Sequence, residues 1–150
     1  MMKAILIFSL LFSFSTGINA QQLLYDSVLA KKLNADEYGM KTYVLVILKT
    51  GAATFSKAIT DSLFAGHMKN IGQLAAERKL VLAGPLGKND FNYRGIFILN
   101  TNNIDEARTM VDTDPAVKSN LLAADYITWY GSAAVMQIPE IHKKIQKASF

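Results

Sequence analysis

Two short stretches that fail to alternate restrict the fold more than anything else in the chain. Tyr43-Val44-Leu45-Val46-Ile47-Leu48 and Ile96-Phe97-Ile98-Leu99 have the length and the β-branched or aromatic content of strands, yet both are apolar at every position. Successive side chains of an extended segment point to opposite faces. A sheet with one wet face therefore alternates apolar and polar residues, whereas these strands need cover on both faces.

The intervening sequence supplies the remaining elements. Residues 23–33 place Leu24, Val28 and Leu29 at helical spacing, with Lys31 and Lys32 outside, and predict a short amphipathic helix laid against the domain. Residues 43–48 form the first strand. A long helix follows, starting between Ser56 and Asp61 and ending near Lys79, with Phe64, Met68, Ile71, Leu74 and Ala75 as its apolar stripe. Residues 80–83 form a second strand stopped by Gly84-Pro85, residues 86–92 a turn, and residues 94–99 a third strand with Gly95 inside it. Residues 103–111 read as a helix with Asn103 as N-cap and Asp105 and Glu106 in its first turn. Asp114-Pro115 restarts a helical turn to about Asn120, residues 124–130 form the fourth strand, and residues 135–147 form a tail that turns helical after Pro139.

The order β-α-β-β-α-β is the split βαβ pattern of ferredoxin-like α+β folds, with two helices on one face of a four-stranded antiparallel sheet. Two helices cover one face only. The other is expected to meet the same face of a second copy, giving a homodimer, unless the N-terminal helix and the tail cover it within one chain.

The first residues read as an address. Lys3 precedes an apolar run over residues 4–14, and Ser15-Thr16-Gly17-Ile18-Asn19-Ala20 is small and polar, so residues 1–20 are expected to be a cleaved signal peptide. The run falls short of the roughly 20 residues that span a bilayer, so no stable membrane insertion is expected after cleavage, and the mature protein is placed in the periplasm or outside the cell. Cleavage removes one of the 16 basic side chains and no acid, leaving 15 against 12 and a net charge of +3. That balance is too mild and too evenly spread for a nucleic-acid partner. With no cysteine, disulfides, thiol nucleophiles, cysteine-ligated metals and lipid attachment at a terminal cysteine are all ruled out. The chain divides into the signal peptide, a helical extension over residues 21–40, one domain over residues 41–135 and a tail over residues 136–150.

Candidate chemistry centres on one histidine. His142 lies in a charged tail, whereas His67 sits on the long helix beside its apolar stripe, three after Phe64 and four before Ile71. It reads either as a core histidine hydrogen-bonded to backbone or as a general acid/base oriented by a carboxylate. Asp114 is the candidate orienter, although a carboxylate before a helix-opening proline is also a capping device. Gly84-Pro85 and Gly95 read as backbone geometry, a tight strand exit and a close approach of another segment. Arg94 could hold an anionic substrate. The sequence has no Gly-rich phosphate loop after a strand, no Gly-x-Ser-x-Gly elbow and no zinc-type cluster, and neither cofactor nor metal is expected.

These pieces together resemble the YciI-like (YCII-related) family over residues 40–135. The resemblance is carried by Ala65-Gly66-His67-Met68-Lys69-Asn70-Ile71 and by Arg78-Lys79-Leu80-Val81-Leu82-Ala83-Gly84-Pro85. Tyr93-Arg94-Gly95-Ile96-Phe97-Ile98, Asp105-Glu106-Ala107, Asp112-Thr113-Asp114-Pro115 and Trp129-Tyr130-Gly131 complete it. The stretch from Tyr38 to Tyr43 is similar to that of exported members. The resemblance implies a ferredoxin-like fold paired into a dimeric α+β barrel and a His67–Asp114 active-site pair; Arg94, Asn70, Gly84 and Pro85 are the candidate substrate contacts beside it. It implies no substrate, because one fold hosts many chemistries.

Two readings follow. One is a cofactor-free lyase or isomerase acting on a small molecule, aromatic molecules included. The other is a non-catalytic exported binding or interaction module in which the pair is structural. They differ in whether His67 and Asp114 converge where a ligand can reach them.

Overall fold

The computed structural model describes residues 24–148; the predicted signal peptide lies outside them. A helix α1 (Ser27–Leu33) leads into β1 (Met40–Thr50), α2 (Lys57–Ala76), β2 (Leu80–Pro85), β3 (Tyr93–Leu99), α3 (Ile104–Val111), a single turn α4 (Pro115–Lys118) and β4 (Leu122–Ser132). A 3-10 turn (Ala133–Gln137) and α5 (Ile138–Ile145) close the chain. The four strands form one antiparallel sheet in the order β2-β3-β1-β4, which is the ferredoxin-like α+β fold. Among the described residues no helix is long and apolar enough to cross a membrane.

Register explains the missing alternation. Val46 pairs with Phe97 and Val44 with Leu99, so these side chains share the face covered by α2 and α3. They are buried there with Leu48, Leu74, Met110 and Val111. Tyr43, Val81 and Ile98 point the other way and are also buried, against Val135 and Met136 of the 3-10 turn. The chain's own tail thus covers one end of the second face, as the single-chain alternative anticipated. It stops short of the β4 side, where Ile127 keeps 46% of its surface exposed.

Several boundaries and one packing expectation need correction. The second strand does not stop before Gly84-Pro85 but runs through both, Gly84 pairing with Ile96 and Pro85 with Gly95. Proline is tolerated there because β2 is an edge strand with no neighbour needing its N–H. Gly95 has the predicted close approach: a Cβ there would meet the Gly84 carbonyl oxygen at 2.9 Å. The N-terminal helix starts later than read, at an N-cap supplied by Asp26. It buries none of its residues, and Leu24 and Val28 remain exposed. The inner face of α2 also differs from the expected stripe. Its buried residues are His67, Asn70 and Leu74, while Met68 is exposed.

Candidate functional site

Two polar side chains in the middle of a buried helix face need partners, and the turn between α3 and α4 supplies both. Asp114 is fully buried at the N-cap of α4, where its Oδ1 accepts the Ala116 N–H at 2.9 Å. Its other oxygen, Oδ2, lies 2.5 Å from His67 Nδ1. Capping and orienting are therefore not competing explanations of Asp114, because each uses a different carboxylate oxygen. One turn along α2, Asn70 Nδ2 donates to Thr113 Oγ1 at 2.7 Å, and that hydroxyl donates to the Met110 carbonyl at 2.6 Å. Immediately before His67, Gly66 faces Pro115, whose Cγ would lie 2.8 Å from any Cβ at position 66. Three consecutive residues, Thr113, Asp114 and Pro115, are thus matched by Asn70, His67 and Gly66 of one helix.

The imidazole lies between two aromatic rings. Phe97 of β3 stacks on it with centroids 5.9 Å apart, and Phe64 meets it edge-on at 6.1 Å. His67 retains 9% of its surface. A carboxylate only accepts hydrogen bonds, so Nδ1 carries the proton that points at Asp114. In the neutral ring Nε2 is then a lone pair, and it has no hydrogen-bond partner among the described residues. The arrangement can take a proton at Nε2 and hold the resulting imidazolium against Asp114.

The remaining predicted residues lie near the β2–β3 hairpin rather than at the dyad. Arg94 is exposed and lines a cleft of about 160 Å³ with Thr50, Thr60, Phe64, Leu121 and Leu122. Phe64 belongs both to this cleft and to the wall of His67. Arg94 makes no ion pair among the described residues, and its carbonyl accepts the Leu86 N–H just past Pro85. Strand alternation puts Pro85 on the helix-covered face with Gly95, and Gly84 with Ile96 on the opposite face. Gly84 and Pro85 make no hydrogen bond to the dyad.

A larger cleft of about 500 Å³ includes Asp36, Lys41, Asn100, Thr101, Glu106 and Tyr130. Its polar groups are largely spent on one another. Lys41 Nζ reaches Asn100 Oδ1 at 2.5 Å, Thr101 bonds Glu106, and Asp36 accepts from Tyr38 N, Met40 N and Tyr130. Size therefore does not make it the reactive site. No group of three His, Asp or Glu side chains among the described residues could hold a metal ion.

Sequence reasoning missed Phe64, Phe97, Thr113 and Gly66 as parts of the site. Gly66 carried a usable signal, because a glycine inside a helix needs a packing reason.

Residues 40–129 match the model of the YCII-related domain. Among solved structures the chain is similar to 5-chloro-2-hydroxyhydroquinone dehydrochlorinase from Burkholderia phenoliruptrix AC1100, solved in complex with 2,5-dihydroxybenzoquinone. Identity is 24%, covering 57% of this chain and 90% of that one, with a TM-score of 0.38. An overlap at that score says nothing of chemistry. No curated protein matches the chain.

Proposed function

The chain belongs to the YCII-related domain family, and on that premise we propose that it is a small-molecule enzyme of lyase or isomerase type with His67 as its general acid/base. One observation carries the reading: Asp114 engages Nδ1 of His67 at 2.5 Å and leaves Nε2 unpaired among the described residues. Nε2 takes a proton from a C–H beside a carbonyl, and the C–H electron pair becomes a C=C π bond as the carbonyl π pair moves onto its oxygen or as the bond to a leaving group breaks with its pair. The same proton then returns to another atom of the substrate, giving an isomer, or leaves with a departing group, giving elimination. Asp114 fixes the tautomer and stabilises the imidazolium formed between these steps. Arg94 would hold an anionic oxygen at the neighbouring cleft. Neither step requires a metal or a cofactor.

The test is a substrate screen on residues 21–150, following proton exchange or elimination in small carbonyl and phenolic compounds. A turnover abolished by His67→Gln supports the reading. Turnover that survives this change overturns it.

A second reading, a non-catalytic binding module, is favoured by the full burial of Asp114 and its capping of α4. There the pair is a clasp between α2 and α4, and its removal lowers stability without touching any ligand.

Two further proposals complete the picture. The uncovered part of the second sheet face, with Ile127 exposed, supports a homodimer. The apolar run over residues 4–14 supports export and a mature chain beginning at Gln21. Mass spectrometry of exported protein that retained residues 1–20 would sink the second of these.

A further inference from the structure

The larger cleft is built in part by residues outside the stretch that carries the family. Asp36 of the N-terminal extension and Tyr130 at the end of β4 both line it, whereas the family match covers residues 40–129. The bond between their side chains closes that wall. The cleft shares no lining residue with the His67–Asp114 pair.

Most of its polar groups satisfy one another, but two charged groups keep capacity to spare. Lys41 Nζ has three N–H donors, and one of them goes to Asn100 Oδ1 at 2.5 Å. The Asn100 amide is oriented by its own donation to the Arg78 carbonyl at 3.2 Å, so its oxygen faces the lysine. Lys41 makes no ion pair among the described residues. Partial burial strips water from the ammonium and lowers its pKa from the ordinary lysine value. Glu106, in the first turn of α3, bonds Thr101 through Oε2, and its Oε1 has no partner among the described residues. Asp36 is different, because Tyr38 N, Met40 N and the Tyr130 hydroxyl already supply its oxygens.

Charge selects what can enter. A plain anion drawn to Lys41 meets the carboxylates of Asp36 and Glu106, and a plain cation drawn to them meets Lys41. A molecule carrying both signs is opposed by neither. We infer that this cleft is a second small-molecule site and takes a zwitterion of the amino-acid type, its carboxylate on Lys41 and its ammonium on Glu106. A volume of about 500 Å³ suits such a ligand. Lys41 is half-buried and Glu106 exposed, so each ion pair is weak alone. Affinity comes from carrying both charges on one frame.

The experiment titrates the purified, isotope-labelled protein with ω-amino acids of increasing length, from glycine to aminohexanoate. Each is compared with the monoacid and the monoamine of the same chain length, and binding is followed by NMR. One length should bind about tenfold tighter than either single-charge analogue, moving the backbone amides of Asn100 to Asn102. Lys41→Met and Glu106→Gln, checked for folding by their melting curves, should each bring that zwitterion down to the level of its analogues. Zwitterions that bind no better than their analogues, shifts that fall outside the cleft, or a preference that survives either substitution overturns the inference. If Lys41→Met does not fold, Glu106→Gln and the wild-type shifts decide. Neither residue touches the dyad, so the result stands apart from the reading of His67.

Discussion

His67 and Asp114 are 47 residues apart in sequence and 2.5 Å apart at Nδ1 and Oδ2, and the same aspartate caps the helix that follows it. One carboxylate thus ends the buried polar face of α2 and starts α4, so any change to it acts on both folding and chemistry. Separating the two effects requires a variant that keeps the bond and loses the base.

His67→Gln is that variant, because its amide can still donate to Asp114 but cannot shuttle a proton. Turnover should fall by about 10²–10⁴-fold, the usual worth of a general acid/base, while the melting curve stays close to wild type. His67→Ala strands the buried Oδ2 and should also lower stability by about 1–3 kcal/mol. Chemical denaturation of the two variants checks the difference. Equal loss of stability in both would favour the structural clasp.

Two glycines of α2 should respond to alanine with opposite signs. A Cβ at Gly72 meets nothing within 4 Å, so Gly72→Ala should stabilise by up to about 1 kcal/mol through helix propensity. A Cβ at Gly66 would lie 2.8 Å from Pro115 Cγ, a ring atom that cannot swing aside. Gly66→Ala should therefore cost about 1–3 kcal/mol as overpacking and push α2 off the turn carrying Asp114. Denaturant melts give both signs, and a His67 ring signal unchanged in Gly66→Ala would contradict the displacement.

The ease of reading these features from sequence varied with the physics involved. The strand order was legible because the apolar runs and turn residues are local signals, and α3 was legible because Asn103 caps it with its side chain. The end of α2 was less so. Its last turn closes with Arg78 at φ 58°, a left-handed conformation that glycine usually supplies, while Lys79 N–H reaches back to Leu74. No glycine marked that stop. The polar inner face of α2 was hidden for a different reason. Asn70 is buried only because Thr113 meets it from a distant turn, and helical periodicity cannot express a partner 43 residues away. His67 and Asp114 were legible as candidates through family-like spacing, whereas the aromatic rings around His67 are a product of packing.

The exposed part of the second sheet face gives a prediction about assembly. Ile127 pairs with Leu45 across the β1–β4 ladder, and both sit on the face that α2 and α3 leave uncovered. Light scattering at micromolar concentration should find a dimer, and Ile127→Asp should find a folded monomer whose melting temperature is lower than that of wild type and no longer depends on protein concentration. Burying an isoleucine contributes about 1.5–3 kcal/mol, and the charge would have to be desolvated twice across a symmetric contact. A monodisperse wild-type monomer would remove the case for pairing through this face.

The link between the N-terminal extension and β4 should leave a pH signature at both ends of the scale. Tyr130 donates its hydroxyl to Asp36, which also accepts the Met40 and Tyr38 N–H groups. The Tyr130 bond, with these backbone donors, holds the Asp36 carboxyl below the usual carboxylate range, and the bond to Asp36 pushes the Tyr130 phenol up. A lowered carboxyl stabilises the fold above its unfolded pKa, near 3.9, and that stability is lost as pH falls through the lower folded value. A raised phenol stabilises below its unfolded pKa, near 10, and the contribution disappears as pH rises through the higher folded value. The melting-temperature difference between wild type and Tyr130→Phe should therefore form a plateau between about pH 4 and 10 and shrink on both sides. Taking the difference cancels other titrations common to both proteins. A difference that stays flat into acid and alkali would mean that this hydrogen bond does not hold the extension to the sheet.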